Sequence, residues 1–279
     1  VLQVVAAAGC SAKADTLACL RSLPYSDYLN AANSVPGLLS YTSIALSYLP
    51  RPDGTVLTDS PDALIASGKY AKVPFIVGDQ EDEGTLFALF TSNVSSIADL
   101  SNYLNDVFFP ATPKTVIDAL IATYGTISED GSPFRTFLFN NWYPQFKRIA
   151  AILGDLTFTL TRRVFLDVAS KVNPGVKSWS YLASYDYGTP VMGTFHASDL
   201  IQVFYGIKDN NAARSIRGYY YSFIYDLDPN SNNNLADWPE WKTKKQLMQF
   251  GSDSNNLLAD DFRKDSYEFI KSNVEVFRI

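Results

Sequence analysis

Four carboxylates crowd into five residues at Asp79, Glu81, Asp82 and Glu83, directly after a short apolar run, Val73-Pro-Phe-Ile-Val77. Val73, Phe75, Ile76 and Val77 suit a strand buried on both faces, and Gly78 predicts a sharp turn out of it. Acidic side chains are thereby delivered to the C-terminal edge of a strand, where ligands bind in open α/β sheets. Glu83, followed by Gly84, leads the candidates, with Asp79, Glu81 and Asp82 as alternatives. The chain has a single histidine, His196, in Pro190-Val-Met-Gly-Thr-Phe-His-Ala-Ser-Asp199. On residue type alone, a lone histidine is more often a structural or surface group. Here Gly193 and Thr194 make a loop and Ala197-Ser-Asp-Leu200 opens an apolar-periodic helix, so a strand-to-helix connection presents the imidazole. A carboxylate and an imidazole on two loops of an α/β pattern are two parts of an acid–base–nucleophile relay.

The elements that must hold these groups follow from capping and periodicity. Asp15 caps a helix through Leu23, a shorter one spans Ser26 to Ala32, and Asp59-Ser-Pro through Gly68 carries an N-cap, a proline in the first turn and a terminal glycine. That helix leads into the Val73 strand, which is half of an α/β repeat. Leu38 to Leu49 is apolar without a strict period, and its residues are core or pocket lining. Helices are predicted at Ser96 to Val107, at Thr112 to Tyr124, and across Pro144 to Ser170, the last unusually apolar around Leu153, Leu156 and Phe158. Val176 to Ser184 alternates as a strand. Asn210 to Asp226 reads as a helix with an aromatic face, Gln246 to Phe250 as a late strand and Asp260 to Ser272 as a final helix.

With 279 residues, 47% of them hydrophobic and 19% charged, the chain can bury a sizeable core as one large domain or two small ones. A net charge of −6 argues against nucleic acid or an anionic membrane as partner. No run of about eighteen apolar residues exists, so no transmembrane segment is expected. The start, Val1-Leu-Gln-Val-Val5, lacks an initiator methionine and begins in mid-pattern, which reads as a piece of a longer protein; a mature secreted chain is the alternative. Cys10 and Cys19 enclose a short polar loop, and a disulfide is the economical reading, with two buried thiols as the alternative. Asn93 heads the chain's one Asn-x-Ser/Thr glycosylation sequon. There is no phosphate-binding loop, no dinucleotide fingerprint and no cluster of metal ligands, so no cofactor and no metal is expected.

Several segments go further than pattern. Leu17-Ala-Cys-Leu-Arg21, Leu46-Ser-Tyr-Leu-Pro-Arg-Pro-Asp-Gly54, Gly78-Asp-Gln-Glu-Asp-Glu-Gly-Thr85, Gly131-Ser-Pro-Phe134, Pro144-Gln-Phe-Lys-Arg148 and Gly193-Thr-Phe-His-Ala-Ser-Asp-Leu200 run collinear with their counterparts in the Candida- and Geotrichum-type fungal lipases. The chain resembles the C-terminal half of these proteins, which belong to the cholinesterase-like, type B carboxylesterases. The resemblance implies the α/β-hydrolase fold, with residues 1–279 as the C-terminal half of a single domain: a mostly parallel sheet flanked by helices. It also implies a secreted triacylglycerol lipase or sterol esterase acting on a long-chain acyl ester at a lipid–water interface. Glu83 takes the position of the triad acid and His196 that of the general base. Cys10 and Cys19 match a family disulfide, and Leu39, Ile44, Leu46, Phe87, Leu153, Leu156 and Phe158 fall where such lipases line an acyl-binding tunnel.

Two features of the family are missing from these residues. There is no Gly-x-Ser-x-Gly nucleophile elbow and no His-Gly-Gly-Gly-type oxyanion segment. In the family both lie upstream, so an upstream half of the same protein is the expected partner and source of the serine. The competing reading is a non-catalytic binding or adhesion module of the same fold family. Such members lose triad residues, whereas Glu83 and His196 both stand here in intact motifs.

Overall fold

Residues 1–50 and 51–279 form two separate compact units, and the computed structural model describes residues 2–127, 130–204, 209–231 and 234–277. In the first unit, short amphipathic stretches make three brief helices, Leu2–Ala7 (α1), Thr16–Ser22 (α2) and Tyr25–Ala32 (α3). The Asp15 carboxylate accepts from the Ala18 amide and starts α2. Cys10 and Cys19 are joined in a disulfide with Cα atoms 5.9 Å apart, which ties the turn after α1 to α2. The segment beyond α3 is a series of turns in which Ile44 is buried while Leu39 and Leu46 are exposed.

The second unit begins with Pro61–Ala66 (α4), where Ser60 caps and Pro61 occupies the first turn. Three segments then supply the parallel part of one sheet: Phe75–Gln80 (β1), Ser178–Ala183 (β2) and Gln246–Phe250 (β3). The strand order is β1-β2-β3-β4, with Asn255–Ala259 (β4) antiparallel to β3 at the edge. Between β1 and β2 come Thr85–Ala88 (α5), Ile97–Tyr103 (α6), Lys114–Ala122 (α7), Phe146–Gly154 (α8) and Leu160–Val172 (α9). Asp199–Val203 (α10), Asn211–Asp226 (α11) and Trp241–Lys244 (α12) lie between β2 and β3, and Lys264–Ser272 (α13) follows β4.

The period of two in β2 divides the core. Trp179, Tyr181 and Ala183 pack with Ala212, Ile216 and Tyr219 of α11 and with Trp238 and Phe250. Leu182 points the other way, toward Leu166 of α9, Trp241 and Leu247. Helices therefore cover both faces, and every residue of β2 is buried, as a central strand requires. On the α9 face a buried ion network replaces part of the apolar packing. Arg162 donates to Asp79 of β1 at 2.7 Å and bidentately to Asp260 at 2.8 and 2.9 Å, and Arg163 and the Trp241 indole also donate to Asp260. Arg162 is held above its ordinary pKa by these carboxylates, against the opposing pull of burial, and it fixes β1 against α9.

Some boundaries differ from the sequence expectation, each for a physical reason. β1 does not end at Gly78; it runs on through Asp79 and Gln80 in register with Leu182 and Ala183. Gly78 is therefore a packing residue and not a turn, since a Cβ there would lie 2.3 Å from the Tyr181 ring. The helix expected over Pro144 to Ser170 is two helices joined by a π-helical turn at Asp155–Thr159. The helix expected from Asp260 starts at Lys264, because β4 occupies the chain to Ala259 and Asp260 is drawn into the ion network. No helix among the described residues is long and apolar enough to cross a membrane.

Candidate active site

The turn after β1 carries three of the four carboxylates, and the long connection after β2 carries the imidazole. Because β1 and β2 are parallel neighbours, both segments emerge at the same edge of the sheet. They are stitched together there: the Asp82 amide donates to the Thr194 carbonyl, and Asp82 and Phe195 form a parallel bridge beyond the strand ends. Glu83 and His196, 113 residues apart, meet across this bridge with Nδ1 of the ring 2.6 Å from Oε2 of the carboxylate.

Each acid of the cluster has a different partner. Asp79 is bound by Arg162. Glu81 accepts from Arg135 through Nε at 2.8 Å and through a second guanidinium nitrogen. Asp82 accepts from the Ser132 hydroxyl, the Phe134 amide and the Thr194 amide. Glu83 alone faces the imidazole, and its other oxygen, Oε1, accepts from the Gln80 amide at 2.8 Å. The carboxylate is buried while the ring is about one-third exposed. The hydrogen bond to Glu83 raises the pKa of His196 above the ordinary 6.5, working against burial. With Nδ1 engaged by a carboxylate, Nε2 is the ring nitrogen left to exchange a proton with a substrate or nucleophile.

Aromatic rings hold the imidazole from the side. Its centroid lies 5.1 Å from Phe87 of α5 and 4.9 Å from Phe158 in the π-helical turn, and these two rings stack on each other at 5.9 Å. Leu153 and Leu156, in α8 and the same π-helical turn, are buried. Phe87, Leu153, Leu156 and Phe158 thus sit on α5, α8 and the π-helical turn that continues α8, with α5 packing against α8. The close approach requires glycine: a Cβ on Gly84 would lie 1.8 Å from the Ala150 carbonyl oxygen. Leu39, Ile44 and Leu46 belong to the first unit. Asn93 is exposed in the segment between α5 and α6.

Sequence reasoning missed the groups that tie the segments together. Thr85 donates its hydroxyl to the carbonyls of Asp82 and Met192. The buried Tyr185 hydroxyl bonds the Gln80 side chain at 2.6 Å and Ser198 at 3.0 Å, linking the end of β1 to the residue before α10. Only the Glu-Gly-Thr order, with a hydroxyl at the start of a helix, hinted at Thr85; nothing local marks Gln80 or Tyr185. A separate cavity of about 220 Å³ is lined by Tyr124, Gly131, Phe134, Arg148 and Arg263 among others, and by none of the candidate catalytic or acyl-site residues. Among the described residues, no three His, Cys, Asp or Glu side chains converge as a metal site.

Comparison with known proteins bears on this geometry. The model of the carboxylesterase family matches residues 1–270. The chain is 62% identical to Secreted lipase 1 of Botryotinia fuckeliana over 99% of its own length and 48% of that protein. It is 60% identical to Secreted triacylglycerol lipase LIP1 of Gibberella zeae, covering 97% of the chain and 46% of the relative. Lipase 2 of Diutina rugosa is 43% identical over 99% of the chain and 50% of the relative. The chain thus spans about half the length of these curated relatives. Among solved structures, Aspergillus niger EstA superposes with a TM-score of 0.78 at 22% identity, covering 99% of this chain and 55% of that one, and so shares its fold.

Proposed function

The chain belongs to the carboxylesterase family and has the α/β-hydrolase fold, and on that premise we propose that it carries the acid and the base of a secreted serine ester hydrolase, a triacylglycerol lipase or sterol esterase. The observation that carries this reading is the 2.6 Å contact between Nδ1 of His196 and the buried carboxylate of Glu83. In that geometry Nε2 accepts the proton of a serine hydroxyl as it attacks an ester carbonyl, and the Glu83 carboxylate stabilises the imidazolium that forms. The same proton then passes to the departing alcohol, and a second cycle with water frees the acid.

The serine and the backbone donors for the oxyanion come, in this reading, from a segment outside these residues, because no nucleophile elbow occurs among them. Residues 1–279 then act as the C-terminal part of one α/β-hydrolase domain. Phe87, Leu153, Leu156 and Phe158 line the acyl site beside the histidine. Export is supported by the Cys10–Cys19 disulfide, by the exposed sequon at Asn93, and by relatives that bear the word secreted in their names.

The test is to express residues 1–279 alone and together with the remaining half of the full-length protein, then to assay hydrolysis of a soluble short-chain ester and labelling by a serine-directed fluorophosphonate. Both signals should require the second half, and His196→Ala should abolish turnover in the assembled protein. Hydrolysis or labelling by the isolated chain would overturn the proposal and demand a nucleophile among its own serines.

A further inference from the structure

Asp82 is more densely connected than the acid beside it. Its side chain is buried, and one oxygen, Oδ1, accepts from the Ser132 hydroxyl at 2.8 Å and from the Phe134 amide at 2.9 Å. The other, Oδ2, accepts from the Thr194 amide at 3.0 Å, two residues before His196. Its own amide donates to the Thr194 carbonyl, and its carbonyl accepts from the amide and the hydroxyl of Thr85. Every polar atom of Asp82 therefore touches the histidine segment, the start of α5, or the stretch from Ser132 to Phe134.

That stretch acts as a clasp across both loops. Arg135 pairs with Glu81 and lies 4.2 Å from the centre of the Tyr187 ring, whose hydroxyl donates back to the Arg135 carbonyl. The Asn140 side chain accepts from the Val191 amide. The space around Oδ2 is closed: Gly193 sits at φ +57°, and a Cβ there would come within 2.1 Å of that oxygen. Donors on three sides leave the Asp82 carboxylate one orientation, and its neighbour in the chain is the acid that faces the imidazole.

We propose that Asp82 is a positioning residue that sets the mutual register of Glu83 and His196 by joining the acid turn, the histidine loop and the Ser132–Phe134 clasp through one buried carboxylate. The proposal rests on the reading of Glu83 and His196 as acid and base. Asparagine at this position keeps the shape but supplies only one acceptor oxygen. If that oxygen serves Ser132 and Phe134, the amide NH₂ is pressed against the Thr194 N–H, and the histidine loop loses its anchor. A displacement of about 1 Å between reacting groups costs up to about a hundredfold in rate.

The experiment measures kcat, KM and the pH profile of kcat/KM for Asp82→Asn in the assembled full-length protein, per active site titrated with a fluorophosphonate. The expected result is a kcat lower by about 10- to 100-fold, a KM within about threefold of the parent, and an acid limb moved to lower pH as the Glu83–His196 bond loosens. Asp167→Asn is the control for plain destabilisation. Asp167 sits in a lysine cluster on α9 with Lys245 and Lys271, and its loss should lower Tm without moving kcat per site or the pH profile. If Asp82→Asn behaves like that control, Asp82 is structural and the proposal is overturned. Should Asp82→Asn fail to fold, Ser132→Ala removes a single partner; a kcat loss of threefold or more with the same shift of the limb supports the proposal, and parent values overturn it. His196→Ala in the same series separates the two levels: retained turnover there removes the acid–base reading, and the positioning role falls with it.

Discussion

Replacing Glu83 by glutamine exchanges one oxygen for an amide nitrogen at nearly constant shape, and the effect on turnover is set by the two contacts of the carboxylate. Oε2 faces Nδ1 of His196 at 2.6 Å, and Oε1 accepts from the Gln80 amide at 2.8 Å. Glutamine can turn its oxygen to only one of them. With the oxygen toward Gln80, the NH₂ group faces Nδ1, which must accept; the ring proton moves to Nε2, and the imidazole can no longer take a proton from a hydroxyl. With the oxygen toward His196, the NH₂ group abuts the buried Gln80 N–H, at a cost of about 1–3 kcal/mol for the unsatisfied donor. That cost reduces the competent orientation by about 5- to 150-fold. Loss of the charge opposite the forming imidazolium removes a charge-assisted bond worth about 1.5–3 kcal/mol. Together these give about 2.5–6 kcal/mol, or a fall in kcat of about 10²- to 10⁴-fold. The assay is hydrolysis of p-nitrophenyl butyrate by the assembled protein, per titrated active site, with Tm as the check on folding. A loss smaller than tenfold in a folded variant would refute the assignment of Glu83.

Leu156→Trp should suppress hydrolysis of long-chain esters much more than that of butyrate if this buried residue lines the acyl site; equal losses on both would return it to plain core, where overpacking costs about 1–3 kcal/mol whatever the substrate. Gly84→Ala places a Cβ 1.8 Å from the Ala150 carbonyl oxygen and 2.7 Å from the Gly154 amide, so Tm and kcat should fall together, and a parent-like Tm would show that α8 can yield. The general base works as the neutral ring, and the bond to Glu83 raises its pKa above 6.5, so the acid limb of kcat/KM should lie above pH 6.5 in the parent. The limb should move down in Glu83→Gln; a parent limb at or below 6.5 would argue that the two groups are uncoupled during turnover.

Much of the scaffold is legible in the sequence because its signals are local. Gln246–Phe250 is located to the residue, the α4 cap is visible in Ser60-Pro61, and the split of β2 into a Trp179-Tyr181-Ala183 face and a Leu182 face accords with its alternation. β4 leaves no such signal. Asn255-Asn-Leu-Leu-Ala is a largely exposed edge strand, and polar residues that are acceptable there carry no period-two pattern. Gly78 reads wrongly as a turn because glycine in a strand and glycine in a turn look alike until the Tyr181 ring, 103 positions away, is in place above it. The π-helical turn at Asp155–Thr159 escapes notice because helical periodicity tolerates one extra residue per turn. At the site, residue types narrow the acid to four candidates. Which of them meets His196 depends on Arg162, Arg135 and Ser132 engaging the other three, and those partners come from distant segments.

The division of partners among Asp79, Glu81, Asp82 and Glu83 also limits how this turn can change over generations of mutation. Four adjacent acids look like redundancy, as if a damaged one could be replaced by a neighbour. Each carboxylate is instead committed to its own partners, so moving the acid of the pair to a neighbouring position would strand an arginine or release a loop as well as misplace the charge. Suppressors of a Glu83 null should therefore be rare among single substitutions in the turn. Laboratory evolution begun from that null would more readily restore glutamate at position 83 than recruit Asp82 or Glu81.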